Sequence, residues 1–162
     1  MVYKMKKIKR IIVLFIVSMF CFVCFFCCVP QKSEDEIARN LIEINSKVEL
    51  PADSEIIYHL RDKEEKGFVH GGTFQYTVFQ LESEPADWLN VNSFENSLDE
   101  DKSIRFELFF SSALSEMPDR LGEIPQEFLP NFNAEFYYLK TEEVYFVYLP
   151  QDLLLITIMP ND

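Results

Sequence analysis

Cysteine is absent from most of this chain. All four cysteines lie close to the N-terminus, at Cys21, Cys24, Cys27 and Cys28. A disulfide-stapled scaffold of the kind common in small secreted proteins is therefore excluded for the rest of the molecule. The same absence excludes a cysteine nucleophile and a cysteine-ligated zinc ion there. The body of the protein must be stabilised by an ordinary apolar core.

Acidic residues are missing from the N-terminal part of the chain, where the first is Glu34. Residues 1–10 contain five Lys or Arg, and residues 11–29 carry no charged side chain. Residues 30–162 hold ten basic residues and all 27 acidic ones, a formal charge of −17. This asymmetry predicts a membrane-associated head and a soluble body. The negative body would repel nucleic acid, so no nucleic-acid partner is expected.

The uncharged run at residues 11–29 is long enough to cross a bilayer. As a helix, its 19 residues would span roughly 28 Å, close to the roughly 30 Å hydrocarbon core. The run is apolar on every face, which disfavours a helix buried in a soluble core. The basic residues at 1–10 are expected to stay in the cytoplasm. The sequence therefore predicts a single anchor in the cell membrane, with the C-terminal domain outside the cytoplasm.

Cleavage of this run is the alternative to a retained anchor. No Ala or Gly precedes Ala38, so the small-x-small site of an ordinary signal peptidase is missing. Cys27 and Cys28 stand where the apolar run ends. The layout of basic head, apolar run ending in cysteine and small acidic body resembles that of bacterial lipoproteins, over residues 1–30. The resemblance implies acylation of Cys27 or Cys28 after cleavage, although the phenylalanines before them depart from the usual small residue.

Residues 30–162 are expected to form one α+β domain. Ser33 and Glu36 match the S-x-x-E capping box, and the apolar pattern that follows predicts a helix at about 34–46. We expect Ile37, Leu41 and Ile44 to form its apolar face, with Ala38 and Ile42 beside them. A second, short helix is predicted around Trp88, and a third is predicted to start at Asn92 and Glu95.

Alternating apolar and polar residues predict strands around Ile56–Leu60, Phe74–Phe79 and Ile104–Leu108. Three further strands are predicted at 134–139, 144–149 and 153–159. Short connections join these three strands and indicate an antiparallel three-stranded meander. Because residues 153–156 are all apolar, the last strand is expected to be central or covered on both faces. The expected fold is a mainly antiparallel sheet with the N-terminal helix packed on it and all helices on one face.

Motifs that carry chemistry are scarce. The two histidines, His59 and His70, do not fit a helical zinc motif, and neither a nucleophile elbow nor a phosphate-binding loop occurs. We interpret both histidines as structural. The functional alternative is an envelope hydrolase in which the fold brings a histidine, a carboxylate and a hydroxyl together.

Two further candidates are surface features. Asp99, Glu100 and Asp101 could supply oxygen ligands to calcium, but they lack the spacing of an EF-hand loop, so a solvated acidic loop is favoured. Trp88 and the tyrosine-rich strands could contact a glycan, although aromatic stripes in strands are more often core. No cofactor is expected.

The sequence therefore favours a membrane-tethered binding or interaction module over an enzyme. Its strongly negative body suits a basic protein partner, and its aromatic residues suit a glycan. A hydrolase and a weak calcium-binding surface protein are the alternatives.

Membrane attachment gives a first test. Full-length protein is expected in the membrane fraction, because burying the apolar run at 11–29 in hydrocarbon outweighs the solubility of the acidic body. Protease added outside intact spheroplasts should digest the body. Mass spectrometry of the mature N-terminus separates a retained anchor from a chain acylated at Cys27 or Cys28. Soluble cytosolic protein with an intact N-terminus would contradict the prediction.

Overall fold

The computed structural model describes residues 33–61, 74–115 and 118–160. The chain divides into two compact units, Met1–Ser33 and Glu34–Asp162, and every element given below belongs to the second. Cys27, Cys28 and His70 lie outside the described residues, as does the run at 11–29. Within the described ranges, no helix has the length and apolar character that crossing a bilayer requires.

The described residues form helices and one antiparallel sheet, as expected for an α+β domain. In chain order the elements are α1 (Glu34–Ser46), β1 (Ser54–Arg61), β2 (Gln75–Leu81), α2 (Ala86–Val91), β3 (Glu95–Asn96), α3 (Glu100–Ser115), α4 (Pro118–Leu121), a 3₁₀ turn (Gln126–Phe128), β4 (Tyr137–Lys140), β5 (Tyr145–Leu149) and β6 (Leu154–Met159). The strand order is β1-β2-β6-β5-β4-β3, and each neighbouring pair is antiparallel.

Strand β6 lies in the middle of the sheet, as its continuous apolar run predicted. It pairs with β2 on one side and β5 on the other, and all of its residues are buried. Ile156, for example, lies opposite both Val78 and Val147. A strand buried on both faces needs apolar residues at successive positions, because neighbouring side chains point to opposite faces.

The sheet is covered on both faces, so the prediction of helices on one face is wrong. Val147 of β5 belongs to a core that includes Phe106 and Phe110 of α3. Phe146, the next residue back along β5, belongs to a second core with Ile42 of α1 and Leu89 of α2. We call the two sides the α3 face and the α1 face. Covering both faces leaves nearly every residue of β2 and β6 buried.

Helix α1 has the predicted bounds, but its buried face differs from the expected one. The residues that it buries are Ala38, Ile42 and Ser46. Ile44, predicted to be buried, is 70% exposed, and Ile37 is also exposed. The helix turns its smallest residue, Ala38, toward the sheet. A small side chain at this position lets α1 approach β2 closely.

The strand predicted at Ile104–Leu108 is wrong, because these residues belong to α3. The buried positions of α3 recur every three or four residues and are Ser103, Phe106, Phe110 and Ala113. That spacing is helical. Ile104 and Leu108, the ends of the apparent alternation, face solvent, and Leu108 is 67% exposed.

The connection before α3 also differs from its prediction. The helix expected to start at Asn92 and Glu95 does not start there, because Glu95–Asn96 forms β3 and the next helix, α3, begins at Glu100. Its two residues pair with Tyr137 and Tyr138 of β4. The short helix predicted around Trp88 is confirmed as α2.

The assignment of α3 can be tested with two substitutions on that helix. Phe110→Ala should lower the free energy of unfolding by about 3–5 kcal/mol, because the ring is fully buried and its removal leaves a cavity. Leu108→Ala should change the free energy by about 0.5 kcal/mol or less, because Leu108 faces water. Urea denaturation of residues 31–162 measures both. Equal losses would contradict the helical assignment.

Candidate functional site

A cavity of about 410 Å³ lies between α1, the end of β1, the start of β2 and α4. We call it the α1 cavity. Among the described residues, the polar ones that line it are Glu34, His59, Arg61, Gln75 and Arg120, and the apolar ones are Ile37, Ala38, Leu41 and Leu60. The volume falls within the range of roughly 300–1,000 Å³ that is typical of small-molecule sites.

A β-bulge places His59 on the wall of this cavity. Ile56 pairs with Phe79 on the α1 face, but Tyr58 pairs with Val78 on the α3 face, because the register shifts between Ile56 and Tyr58. The extra residue reverses the alternation, so that His59 returns to the α1 face opposite Thr77. Bulges often re-aim a side chain in this way beside functional sites.

Behind the cavity, three side chains on the α1 face form a buried hydrogen-bond network. The Nε2 atom of Gln75 donates to the carbonyl oxygen of Ala38 at 3.3 Å and to Oγ1 of Thr77 at 3.2 Å. The Oγ1 atom of Thr77 lies 3.0 Å from Nδ1 of His59. Gln75 and Thr77 are 1% and 0% exposed, so these groups exchange hydrogen bonds with one another rather than with bulk water.

The hydrogen bonds of Thr77 indicate which nitrogen of the His59 ring carries the proton. The Thr77 hydroxyl accepts from Gln75, and its own proton needs an acceptor because the group is buried. Among the described residues, Nδ1 of His59 is the acceptor placed to take it. We therefore assign the neutral His59 ring with its proton on Nε2. The ring then offers a ligand an N–H donor.

One atom of the network is left without a partner. The Oε1 atom of Gln75 is buried and accepts no hydrogen bond from the described residues. Rotating the Gln75 amide by half a turn would place its oxygen opposite the Ala38 carbonyl oxygen, and both atoms are acceptors. The contact with Ala38 therefore determines the orientation of the amide. An unsatisfied buried acceptor costs about 1–3 kcal/mol.

Charged residues of opposite sign near the cavity have opposing effects on the pKa of His59. Burial is the main cause that lowers the pKa of His59, and Arg61 lowers it further, while Asp35 and Glu34 oppose the shift. The imidazole is therefore neutral at pH 7.

The Arg120 guanidinium donates to both carboxylate oxygens of Glu123, at 3.1 and 2.9 Å, and to the Arg61 carbonyl oxygen at 2.5 Å.

The site has a histidine and a hydroxyl in contact, and the hydrolase alternative, which also named His70 outside the described residues, stays a prediction. The Thr77 hydroxyl is fully buried behind the imidazole, where a substrate cannot reach it. Within the described part of the chain, no carboxylate accepts a hydrogen bond from His59. Nucleophilic catalysis requires an exposed nucleophile beside an oriented base.

The acidic residues Asp99, Glu100 and Asp101 lie apart from the cavity, at the start of α3. Asp99 accepts from the backbone N–H of Lys102 at 3.4 Å, and its carboxylate lies 3.6 Å from Lys102 Nζ. The same ammonium lies 3.0 Å from Glu95. The described residues contain no group of three or more His, Cys, Asp or Glu able to hold a metal ion. The side chain of Glu100 lies outside them, so the calcium hypothesis stays a prediction.

Trp88 packs against the core on the α1 face. Its ring centroid lies 4.8 Å from that of Phe94, and its Nε1 donates to the Glu49 carbonyl oxygen at 2.5 Å. Both the ring and its polar atom are therefore engaged within the domain. This arrangement matches the interpretation of the aromatic residues as core, and the glycan hypothesis stays untested.

Of the candidate residues taken from the sequence, the structure places His59 in the α1 cavity. Gln75 and Thr77 were missed, although a signal for them exists. They are polar residues at alternate positions of a strand whose neighbours are apolar, which is unusual for a strand buried on both faces. No protein-family model, no curated protein and no solved structure matches this chain.

The hydrogen-bond network can be tested with Thr77→Val. In the wild type, nitrogen chemical shifts should report the His59 tautomer protonated at Nε2, and the substitution should remove this preference because the donor to Nδ1 is lost. The free energy of unfolding should fall by about 1–3 kcal/mol.

Thr141→Val is the matched control for this experiment. The Thr141 hydroxyl also makes two hydrogen bonds, both with Val144, but it lies outside the cavity lining. The control should leave the His59 signals unchanged. An unchanged His59 tautomer in Thr77→Val would refute the assignment.

Proposed function

We propose that this protein is a membrane-tethered module whose extracytoplasmic domain binds a small ligand in the α1 cavity. The α1 cavity itself carries this proposal, because it has the volume of a small-molecule site and combines polar with apolar lining residues.

The tether is the uncharged run at residues 11–29, proposed to form a membrane helix with the basic head at 1–10 in the cytoplasm. Acylation at Cys27 or Cys28 is the alternative form of attachment. Either form holds the acidic domain at the outer surface of the membrane. The charge of −17 over residues 30–162 disfavours nucleic acid and favours a basic group on any macromolecular partner.

Binding is favoured over hydrolysis by the hydrogen bonds of His59. A general base must present a free acceptor nitrogen to the group that it deprotonates. Nδ1 is occupied by the Thr77 hydroxyl, and Nε2 carries the proton. The ring therefore acts as a hydrogen-bond donor. A donor of this kind can orient a bound ligand.

The proposal can be tested by filling the cavity. Leu41 lines it and is partly buried, so Leu41→Trp should occupy part of its volume and exclude a ligand. Native mass spectrometry of the full-length protein, purified gently in detergent from its own membranes, should show a small molecule on the wild type and none on Leu41→Trp.

Val91→Trp is the control, because Val91 is highly exposed and lies outside the cavity lining. This variant adds a tryptophan of the same size without filling the cavity. It should retain the small molecule. Identical small-molecule content in the wild type and in Leu41→Trp would contradict the proposal.

A further inference from the structure

We propose that His59, Thr77 and Gln75 form an acid-sensitive switch, in which a proton taken up at Nδ1 of His59 breaks the hydrogen bond that holds α1 on the sheet. The switch is a regulatory device that goes beyond the proposed function, because it operates without a ligand. It follows from the order of donors and acceptors in the buried network and from the exclusion of water around them.

At neutral pH the three side chains form a series of hydrogen bonds that ends on α1. Oγ1 of Thr77 lies 3.0 Å from Nδ1 of His59 and 3.2 Å from Nε2 of Gln75. The same Nε2 atom lies 3.3 Å from the Ala38 carbonyl oxygen. In the neutral ring with its proton on Nε2, Nδ1 is an acceptor and suits the Thr77 hydroxyl. The Gln75 amide nitrogen is then free to tie α1 to β2.

Protonation of the ring changes Nδ1 from an acceptor into a donor. The Thr77 oxygen must then accept from the ring, and the Thr77 proton needs a new acceptor. Because Thr77 is 0% exposed and Gln75 is 1% exposed, bulk water does not supply one. Oε1 of Gln75 is a buried acceptor that has no hydrogen bond among the described residues. It belongs to the amide group that already contacts Thr77.

The new acceptor is reached at the expense of the contact with α1. Oε1 meets the Thr77 proton when the Gln75 amide rotates by half a turn, which places Oε1 opposite the Ala38 carbonyl oxygen in place of Nε2. Two acceptors then face each other. If the amide does not rotate, the Thr77 proton stays buried without an acceptor. Either arrangement costs about one hydrogen bond, and movement of α1 away from the sheet relieves the cost because water then reaches these groups.

Charged groups from three elements lie near His59 in the described part of the chain. Burial of the ring, and then Arg61 of β1, lower the pKa of His59, whereas Asp35 and Glu34 of α1 oppose the shift. Arg120 of α4 lines the same cavity as His59. Strand β2 faces the ring with the uncharged side chains of the network. The net effect keeps the ring neutral while α1 is in place.

The direction of this shift determines the pH range of the switch. Because the pKa of His59 in the closed domain lies below its ordinary value of 6.5, the open form takes up a proton first as the pH falls. The contact between α1 and the sheet is therefore fully stable above about pH 6.5. It is lost progressively as the pH falls from there through the pKa of the closed domain.

Hydrogen exchange of the full-length protein in detergent micelles tests the switch. Protection of the α1 amides is compared at pH 7 and pH 5, with correction for the intrinsic pH dependence of exchange. This range stays above the ordinary pKa of carboxylates, about 4. Protection of α1 should fall about tenfold, because one lost hydrogen bond costs about 1.4 kcal/mol. Helix α3, on the other face, should keep its protection. Equal losses in α1 and α3, or no loss in α1, would overturn the switch.

His59→Asn removes the titrating group and keeps the acceptor, because Oδ1 of asparagine takes the place of Nδ1. Protection of α1 in this variant should not change between pH 7 and pH 5. His70→Asn makes the same change at the other histidine and is the matched control, so it should respond to acid as the wild type does. A wild-type acid response in His59→Asn would overturn the proposal.

Gln75→Met separates the switch from the simple burial of a histidine. It should lower α1 protection about tenfold already at pH 7, because the bond to Ala38 is lost, and acid should then have little further effect. Gln80→Met is the control on the same strand, because the Gln80 amide donates to the Asp152 carbonyl oxygen outside the network. It should keep the full acid response.

A full acid response in Gln75→Met would show that the amide does not transmit the effect and would also overturn the switch. The comparison of α1 with α3 in the wild type holds even where this core variant fails to fold. The comparison of His59→Asn with His70→Asn holds as well, because His59 lies on an edge strand and is only partly buried.

Discussion

The requirement that β2 and β6 be buried on both faces shapes the rest of this domain. Two adjacent strands with no solvent-facing side need a helical layer on each side, and α1 and α3 supply these layers. Every polar side chain on β2 and β6 must then find its partners inside the protein. Thr157 does so by donating to the Thr77 carbonyl oxygen, and Thr77 does so through His59 and Gln75. The polar network on the α1 face is thus a consequence of the double coverage.

The same constraint bears on the α1 cavity. Gln75 donates to the Ala38 carbonyl oxygen and so ties α1 to β2. Both residues also line the cavity. The contact that packs the helix on the sheet therefore also shapes the cavity wall.

Much of the fold could be predicted from the sequence, because local patterns determine it. The apolar run of β6 indicated a central strand, and the pattern after Ser33 gave the bounds of α1. Helix α3 was predicted as a strand because Phe106 falls on the buried face whether the side chains follow the two-residue repeat of a strand or the repeat of a helix. The five residues Ile104–Leu108 are too few to distinguish the two repeats. The second helical layer was missed because coverage of a sheet is a property of the assembled domain.

Less of the candidate site could be predicted, because it depends on pairing between distant segments. His59 was identifiable as one of two histidines, but its neighbours were not, since Thr77 and Gln75 meet it only through the register of β1 and β2. The bulge that sets this register leaves no clear mark in the sequence. Unsatisfied atoms such as Oε1 of Gln75 are likewise visible only when every buried donor and acceptor has been paired.

The single extra residue in β1 determines which side chains of this strand face the cavity. If Ile57 were instead paired with Val78 in a regular ladder, every later residue of β1 would move to the opposite face. Leu60 would then replace His59 on the cavity wall, and an apolar side chain would stand where the imidazole now lies. Because β1 is an edge strand, the pairing of β2 with β6 would not change, so the polarity of the wall depends on the register of one outer strand.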